Sequence, residues 1–354
     1  MSGIRRIGAL VATCTTFLLV LGAASATAKP KAEVLLSGLS SPKALTIGLD
    51  GNPIVGQGAF GPPGAILSYV LHGPGRGTHV EILDDVNVVD LAMTPDGAGW
   101  AIVGDGNLYR QDPDGTIALV LDISVYQESD PDPVDQEGAP DESNPYGLAA
   151  LPSSDVLLSD AANNDVLRVT PQGDTTTVAR LDVEETSTDH LSPKEFPGFP
   201  PTLDAEAVPT TVTVGPDGFA YVGELKGFPF RPETSHVWRV DPDAEDAWCS
   251  VATPDPACTV YADGFTGIQD IAFNPNNGRL YVYELAAEGV LAFEEGFVTG
   301  VFPDAVLLKV KKHTRTELAA GQLSQPGGVA VAHNGTVFVT DGMFSDGRLL
   351  RVRG

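Results

Sequence analysis

Four carboxylates close the second of two short apolar runs in a pattern that recurs along the chain: Asp160, Glu224, Glu284 and Asp341. Hard divalent cations such as calcium are bound by carboxylate oxygens, so a ring of such positions could hold one. A bound cation would polarise a carbonyl and activate water, with Glu224 as a candidate base. Polar residues at strand ends also cap backbone groups or face water, and both readings stand at this point. Gln57 and Val103 fill the matching position in the two remaining units.

Asp90 and Asp270 lie one residue beyond the start of the first run in units two and five, which oppose each other in a six-fold ring. They could line a central channel or accept from exposed amides of the inner strands. Asn144 and Glu206 stand just ahead of units three and four, at the expected channel rim. Nucleophilic catalysis finds no Gly-x-Ser-x-Gly, and there is no His-Glu-x-x-His. The histidines are scattered without ligand spacing, and His236, at the start of a third run, reads as structural. The acidic run from Glu128 to Glu137 lacks the glycine and spacing of an EF-hand loop.

The element that must position these side chains is a hairpin. Within residues 208–230, two alternating runs flank Gly215-Pro216-Asp217-Gly218. Proline presets φ and glycine supplies φ > 0, which makes a tight turn. The same hairpin can be laid over five other stretches, beginning near Pro42, Val89, Pro145, Ile268 and Pro326. Each is followed by a third apolar run, and all but the last by a fourth. Four strands per unit at this period is the signature of a β-propeller blade. The sixth unit ends with the chain, and residues 33–39 resemble the missing strand. The expected fold is therefore an all-β, six-bladed propeller whose N-terminal strand completes the last blade, leaving no open edge at the closure. The units exceed the roughly 40–45 residues of a compact blade. Residues 123–143, 182–207, 226–235 and 285–304 hold the surplus, and strand alternation sends all four insertions to one face. Loops elaborated on one face of a rigid scaffold carry function more often than the scaffold does.

Abundant glycine (39) and proline (28) suit a turn-rich β protein. With 47 acidic against 21 basic residues, the net charge of −26 argues against nucleic acid and anionic membrane as partners. Arg5 and Arg6, the apolar stretch 7–22 and the small-residue sites around Ala26 and Ala28 predict a cleaved export signal over 1–28. A single propeller domain would then occupy 29–354, secreted or held in the periplasm or cell envelope, with no integral membrane segment after cleavage. Loss of the two arginines makes the mature chain still more acidic. In an oxidising compartment Cys249 and Cys258 are expected to form a disulfide, since a thiolate metal site would need further ligands nearby.

Glu142-Ser143-Asn144-Pro145-Tyr146-Gly147, Tyr221-Val222-Gly223-Glu224-Leu225, Gly227-Phe228-Pro229-Phe230, Leu280-Tyr281-Val282-Tyr283-Glu284 and Pro326-Gly327-Gly328-Val329 resemble the ScyD/ScyE family of exported proteins. The resemblance covers nearly the whole mature chain and implies a secreted propeller. More distantly the chain is similar to gluconolactonase-like and strictosidine synthase-like propellers. The former bind a divalent metal at the channel entrance, but the matching positions here hold Lys43, Tyr146 and Thr210. The leading expectation is binding of a small molecule or extracellular protein through the acidic, loop-rich face. The alternative is a metal-assisted hydrolase or lactonase using channel carboxylates, with calcium or a similar divalent cation as cofactor.

Overall fold

The computed structural model describes residues 32–104, 106–312 and 314–353, so the expected export signal lies outside the described residues. Blade one comprises β2 (Leu45–Ile47), β3 (Pro53–Val55), β4 (Gly64–Tyr69) and β5 (His79–Val86). Blade two is β6 (Val88–Met93), β7 (Gly99–Val103), β8 (Asn107–Gln111) and β9 (Ile117–Asp122). Blade three is β10 (Pro145–Ala150), β11 (Val156–Asp160), β12 (Asp165–Val169) and β13 (Thr175–Leu181). Blade four is β16 (Pro209–Val214), β17 (Ala220–Glu224), β18 (Ser235–Val240) and β20 (Cys258–Phe265). Blade five is β21 (Ile268–Phe273), β22 (Leu280–Glu284), β23 (Val306–Lys311) and β24 (Thr314–Leu318). Blade six is β25 (Pro326–Val331), β26 (Val337–Asp341) and β27 (Asp346–Val352), completed by β1 (Ala32–Ser40) from the other end of the chain.

The closure pairs Ala32 with Val352 and Ser40 with Asp346, antiparallel, with Arg351 and Arg353 both meeting Glu33. The sequence-based six-fold count and its closing strand are therefore the observed architecture. The second strands β11, β17, β22 and β26 are buried along their whole length because both faces of a blade pack against neighbouring blades, whereas the outer strands β5 and β9 are largely exposed. The core is accordingly divided into clusters that sit in the creases between blades. Inner strands crowd one another near the axis. A Cβ on Gly147 would stand 2.7 Å from Thr211 Cα, and one on Gly328 2.8 Å from Lys43 O. Glycine at these places permits the close approach.

The insertions contain structure that turn chemistry did not announce. Residues 123–143 begin with a short helix, α1 (Ile123–Gln127), and residues 182–207 contain a hairpin of β14 (Glu184–Ser187) and β15 (Thr202–Ala205). Residues 285–304 contain α2 (Val290–Thr299). A three-residue strand, β19 (Ala247–Cys249), leaves blade four and pairs in parallel with the outer strand β13 of blade three. Cys249 and Cys258 are joined, fixing that excursion to the start of β20. Among the described residues no helix is long and apolar enough to cross a membrane.

Candidate functional site

The four recurring carboxylates end the second strands of their blades, Gln57 stands two residues past β3, and each accepts from a backbone amide nearby. Gln57 Oε1 accepts from Ser40 N at 2.8 Å, Asp160 Oδ1 from Asn144 N at 2.7 Å, Glu284 Oε1 from Thr266 N at 2.7 Å and Asp341 Oδ1 from Ser324 N at 2.6 Å. In four blades the same bond thus ties the end of the second strand to the segment entering the first. In blades three, five and six these oxygens satisfy amides of the connecting segments, and in blade one the amide at the end of β1. Burial raises the Glu284 carboxyl to about 7 against the Thr266 bond, and it also raises Asp341 against the Arg348 bond. Among the described residues, no metal-sized cluster of acidic, histidine or cysteine side chains joins two members of this ring.

Blade four departs from the pattern. Glu224 Oε1 accepts from His236 N at 2.8 Å and meets His236 Nδ1 at 2.5 Å, while Oε2 accepts from Trp238 Nε1 at 3.0 Å. Lys226 Nζ lies 3.2 Å from Glu224 and 2.7 Å from Glu184 of the inserted hairpin. Burial alone would raise the Glu224 carboxyl, but the Lys226 charge and the His236 bond overcome it and hold it at about 2. A carboxylate so engaged is a poor proton acceptor. The ammonium of Lys226 already stands between the two carboxylates that, with His236, form a metal-sized cluster. His236, read as structural from the sequence, is thus the residue that orders this cluster. Its signal in the sequence was only its place opposite the end of β17.

In blade three, Asp160 Oδ2 also accepts from Ser143 Oγ at 2.6 Å, and Gln127 Nε2 bridges Asp160 and Asp165 at 3.3 and 3.1 Å. Burial and the neighbouring Asp160 charge push the Asp165 carboxyl well up. This network docks the acidic insertion: Asp130 meets Arg180, and Asn164 Nδ2 donates to Asp132 at 3.0 Å.

The axis is plugged from the loop-rich side. Lys43 Nζ donates to Tyr146 O at 2.6 Å and lies 3.9 Å from the centre of the Tyr146 ring, whose hydroxyl meets Gln269. Below the plug, a cavity of about 380 Å³ opens toward the Pro-Asp-Gly turns and is lined by both Asp90 and Asp270. Asp90 Oδ2 accepts from Leu148 N at 2.7 Å, and Asp270 takes Thr211 Oγ1 at 2.6 Å and Val329 N at 2.6 Å. Both sequence readings thus describe the same two side chains. Burial raises Asp90 to about 7, with Lys43 opposing and Asp270 adding to the shift. Burial likewise raises Asp270 and lowers Lys43.

At the rim, Asn144 and Glu206 line one pocket of about 490 Å³ on the loop-rich face, with Glu137 and Glu142. Ligand oxygens of Asp135, Glu137 and Glu206 lie within 4.8 Å of one another. Glu206 is 8% exposed, and its Oε1 accepts from Gln136 N at 2.9 Å. Burial raises its carboxyl, and the charges of Glu137, Asp132 and Asp135 raise it further. The sequence marked Glu206 but not its partners, which arrive from an insertion some seventy positions earlier.

No protein-family model matches the chain, and no curated protein does. Solved structures do. A glucose dehydrogenase is similar over 92% of this chain and 100% of its own, at 11% identity and a TM-score of 0.55. A structural genomics protein of unknown function from Bacteroides thetaiotaomicron covers 91% of this chain and 72% of its own, at 9% identity and 0.55. The PQQ-bound aldose sugar dehydrogenase from Streptomyces coelicolor covers 92% and 98%, at 14% and 0.52. At these identities the likeness is one of fold, and it places the chain among β-propeller proteins.

Proposed function

We propose that this is an exported propeller, akin to the ScyD/ScyE proteins, that binds a divalent cation or a cationic ligand through its acidic, loop-rich face. The observation that carries the reading is the pocket beside Asn144 and Glu206, where three carboxylates converge and one is buried. Bringing like charges together and burying one raises the cost of ionisation, and a bound cation removes that cost. Calcium suits a set made of carboxylate oxygens. The disulfide is consistent with life outside the cytoplasm. The hydrolase alternative gains no comparable support, because Glu224 is committed to Lys226, His236 and Trp238.

The test is a calcium and zinc titration of the purified protein followed by thermal unfolding, with elemental analysis alongside. Calcium at about a hundred times its Kd should raise stability by about 2.7 kcal/mol. Glu206→Gln should weaken the response at least about tenfold, because it removes a charged ligand. Stabilisation that is absent, or that survives unchanged in E206Q, sinks the assignment.

A further inference from the structure

Away from that face, the crease between blades one and two is open. Its cleft has a volume of about 560 Å³, walled by Ile54 and Ile66 on one side and Leu91, Ala101 and Tyr109 on the other. The outer strand on its rim, β5, is an unpaired sheet edge among the described residues, with Val80 56% and Ile82 41% exposed. An exposed, apolar edge is a template for another strand. The chain itself shows what fills an equivalent crease. Between blades three and four, β19 adds in parallel to the outer edge of β13 and sends Ala247 and Cys249 into the core. Blade two has no such excursion, since only the short turn 112–116 joins β8 to β9.

The β5 edge is acidic as well as apolar. Glu81, Asp84 and Asp85 form no ion pair among the described residues, and Asp84 and Asp85 stand at the cleft itself. We infer that the crease between blades one and two receives an extended peptide of a partner protein, with apolar and basic residues alternating, which adds to β5 as an outer strand. Alternation follows from strand geometry: successive side chains point into the cleft and out toward the acidic rim. Main-chain bonds would supply affinity and the cleft would supply selectivity.

The probe is the fluorescein-labelled peptide KIKVKIK, measured by anisotropy against the purified protein, with hydrogen exchange mapping the contact. Binding should slow exchange of β5 amides. Methylating alternate peptide nitrogens removes strand pairing while keeping every charge, and should weaken binding at least about tenfold. EIEVEIE should bind at least about tenfold more weakly, from charge repulsion at the rim. Ala101→Phe, which fills the cleft, and the surface pair Asp84→Asn with Asp85→Asn, which leaves packing untouched, should each reduce affinity. Equal binding of the methylated peptide would show attraction to the acidic chain in general and overturn the inference. Protection of β9, β20 or β24 instead of β5 would do the same. A concentration-dependent dimer that protects β5 without peptide would make a second copy the occupant and overturn the assignment to a partner.

Discussion

The creases between blades three and four and between blades one and two are built on the same plan and finished differently. Ala220 and Val222 on β17 stand opposite Val240 and Trp238 on β18. Gly99 and Ala101 on β7 stand opposite Gln111 and Tyr109 on β8. Both sets follow a Pro-Asp-Gly turn at the same distance, so they are equivalent positions. Each residue facing blade three is replaced toward blade one by something smaller or more polar. The first crease is further sealed by β19 and held outside by Arg168 with Asp243 and Arg180 with Asp246. The second keeps a cleft of about 560 Å³. Side-chain volume at a few strand positions decides whether a propeller crease is core or groove, because interiors leave few voids when side chains can fill them.

The position that most separates the creases is Glu224 against Val103, which end equivalent strands. Glu224→Ala leaves the buried Lys226 ammonium with Glu184 as its one remaining carboxylate partner among the described residues, and leaves Trp238 Nε1 and His236 without their acceptor. Breaking a buried pair in this way costs about 3–5 kcal/mol, which urea unfolding would measure. The milder Glu224→Gln tests the electrostatics. Because the folded carboxyl is held at about 2, below its ordinary 4.5, its contribution is present above 4.5 and is lost as pH falls through about 2. E224Q should flatten the acid limb of the stability curve over that window. An acid limb identical to that of the natural protein would show that the filled crease does not depend on this charge.

Next in size is the seal itself. Cys249→Ser with Cys258→Ser releases the loop that carries β19. Closing a loop of this length contributes roughly 2–3 kcal/mol through the unfolded chain. The informative readout is local: amides of β13, covered by β19, should exchange faster, while those of β5, already at an edge, should not change. Equal acceleration at both would mean that the disulfide stabilises the ring as a whole.

How much of this was legible follows from how local each signal is. Strand alternation and Pro-Asp-Gly turns are properties of neighbouring residues, so the six blades and the closing strand could be counted along the chain. The cysteine pair was legible for the same reason. Ala247-Trp248-Cys249 carries no alternation long enough to recognise, and it is a strand only because β13 offers a partner. Lys226 lies in a loop, and its burial depends on Glu184, delivered by a different insertion. Asp135 and Glu137 read as part of an acidic run without calcium-loop spacing until the fold sets them against Glu206. What the sequence could not display are contacts made between insertions, and the candidate sites are made of those.

The smallest expected effect tests the idea that side-chain volume alone leaves the second crease open. A Cβ on Gly99 would meet Met93 Sδ at 3.6 Å, an ordinary contact, and the residue's φ is one that alanine adopts. Glycine within a strand forfeits packing and constrains the unfolded chain less. Gly99→Ala should therefore stabilise the protein by about 0.5–1 kcal/mol, read as a rise in thermal midpoint. Gly215 makes the contrast, since a Cβ there would come within 2.3 Å of the Tyr221 ring, and Gly215→Ala should destabilise. If G99A also destabilised, the backbone of β7 would be held in place by something other than the packing seen around it. The open crease would then be a shape the fold maintains against filling rather than a place where filling is merely absent, and the strand-accepting role would gain a constraint that volume alone does not supply.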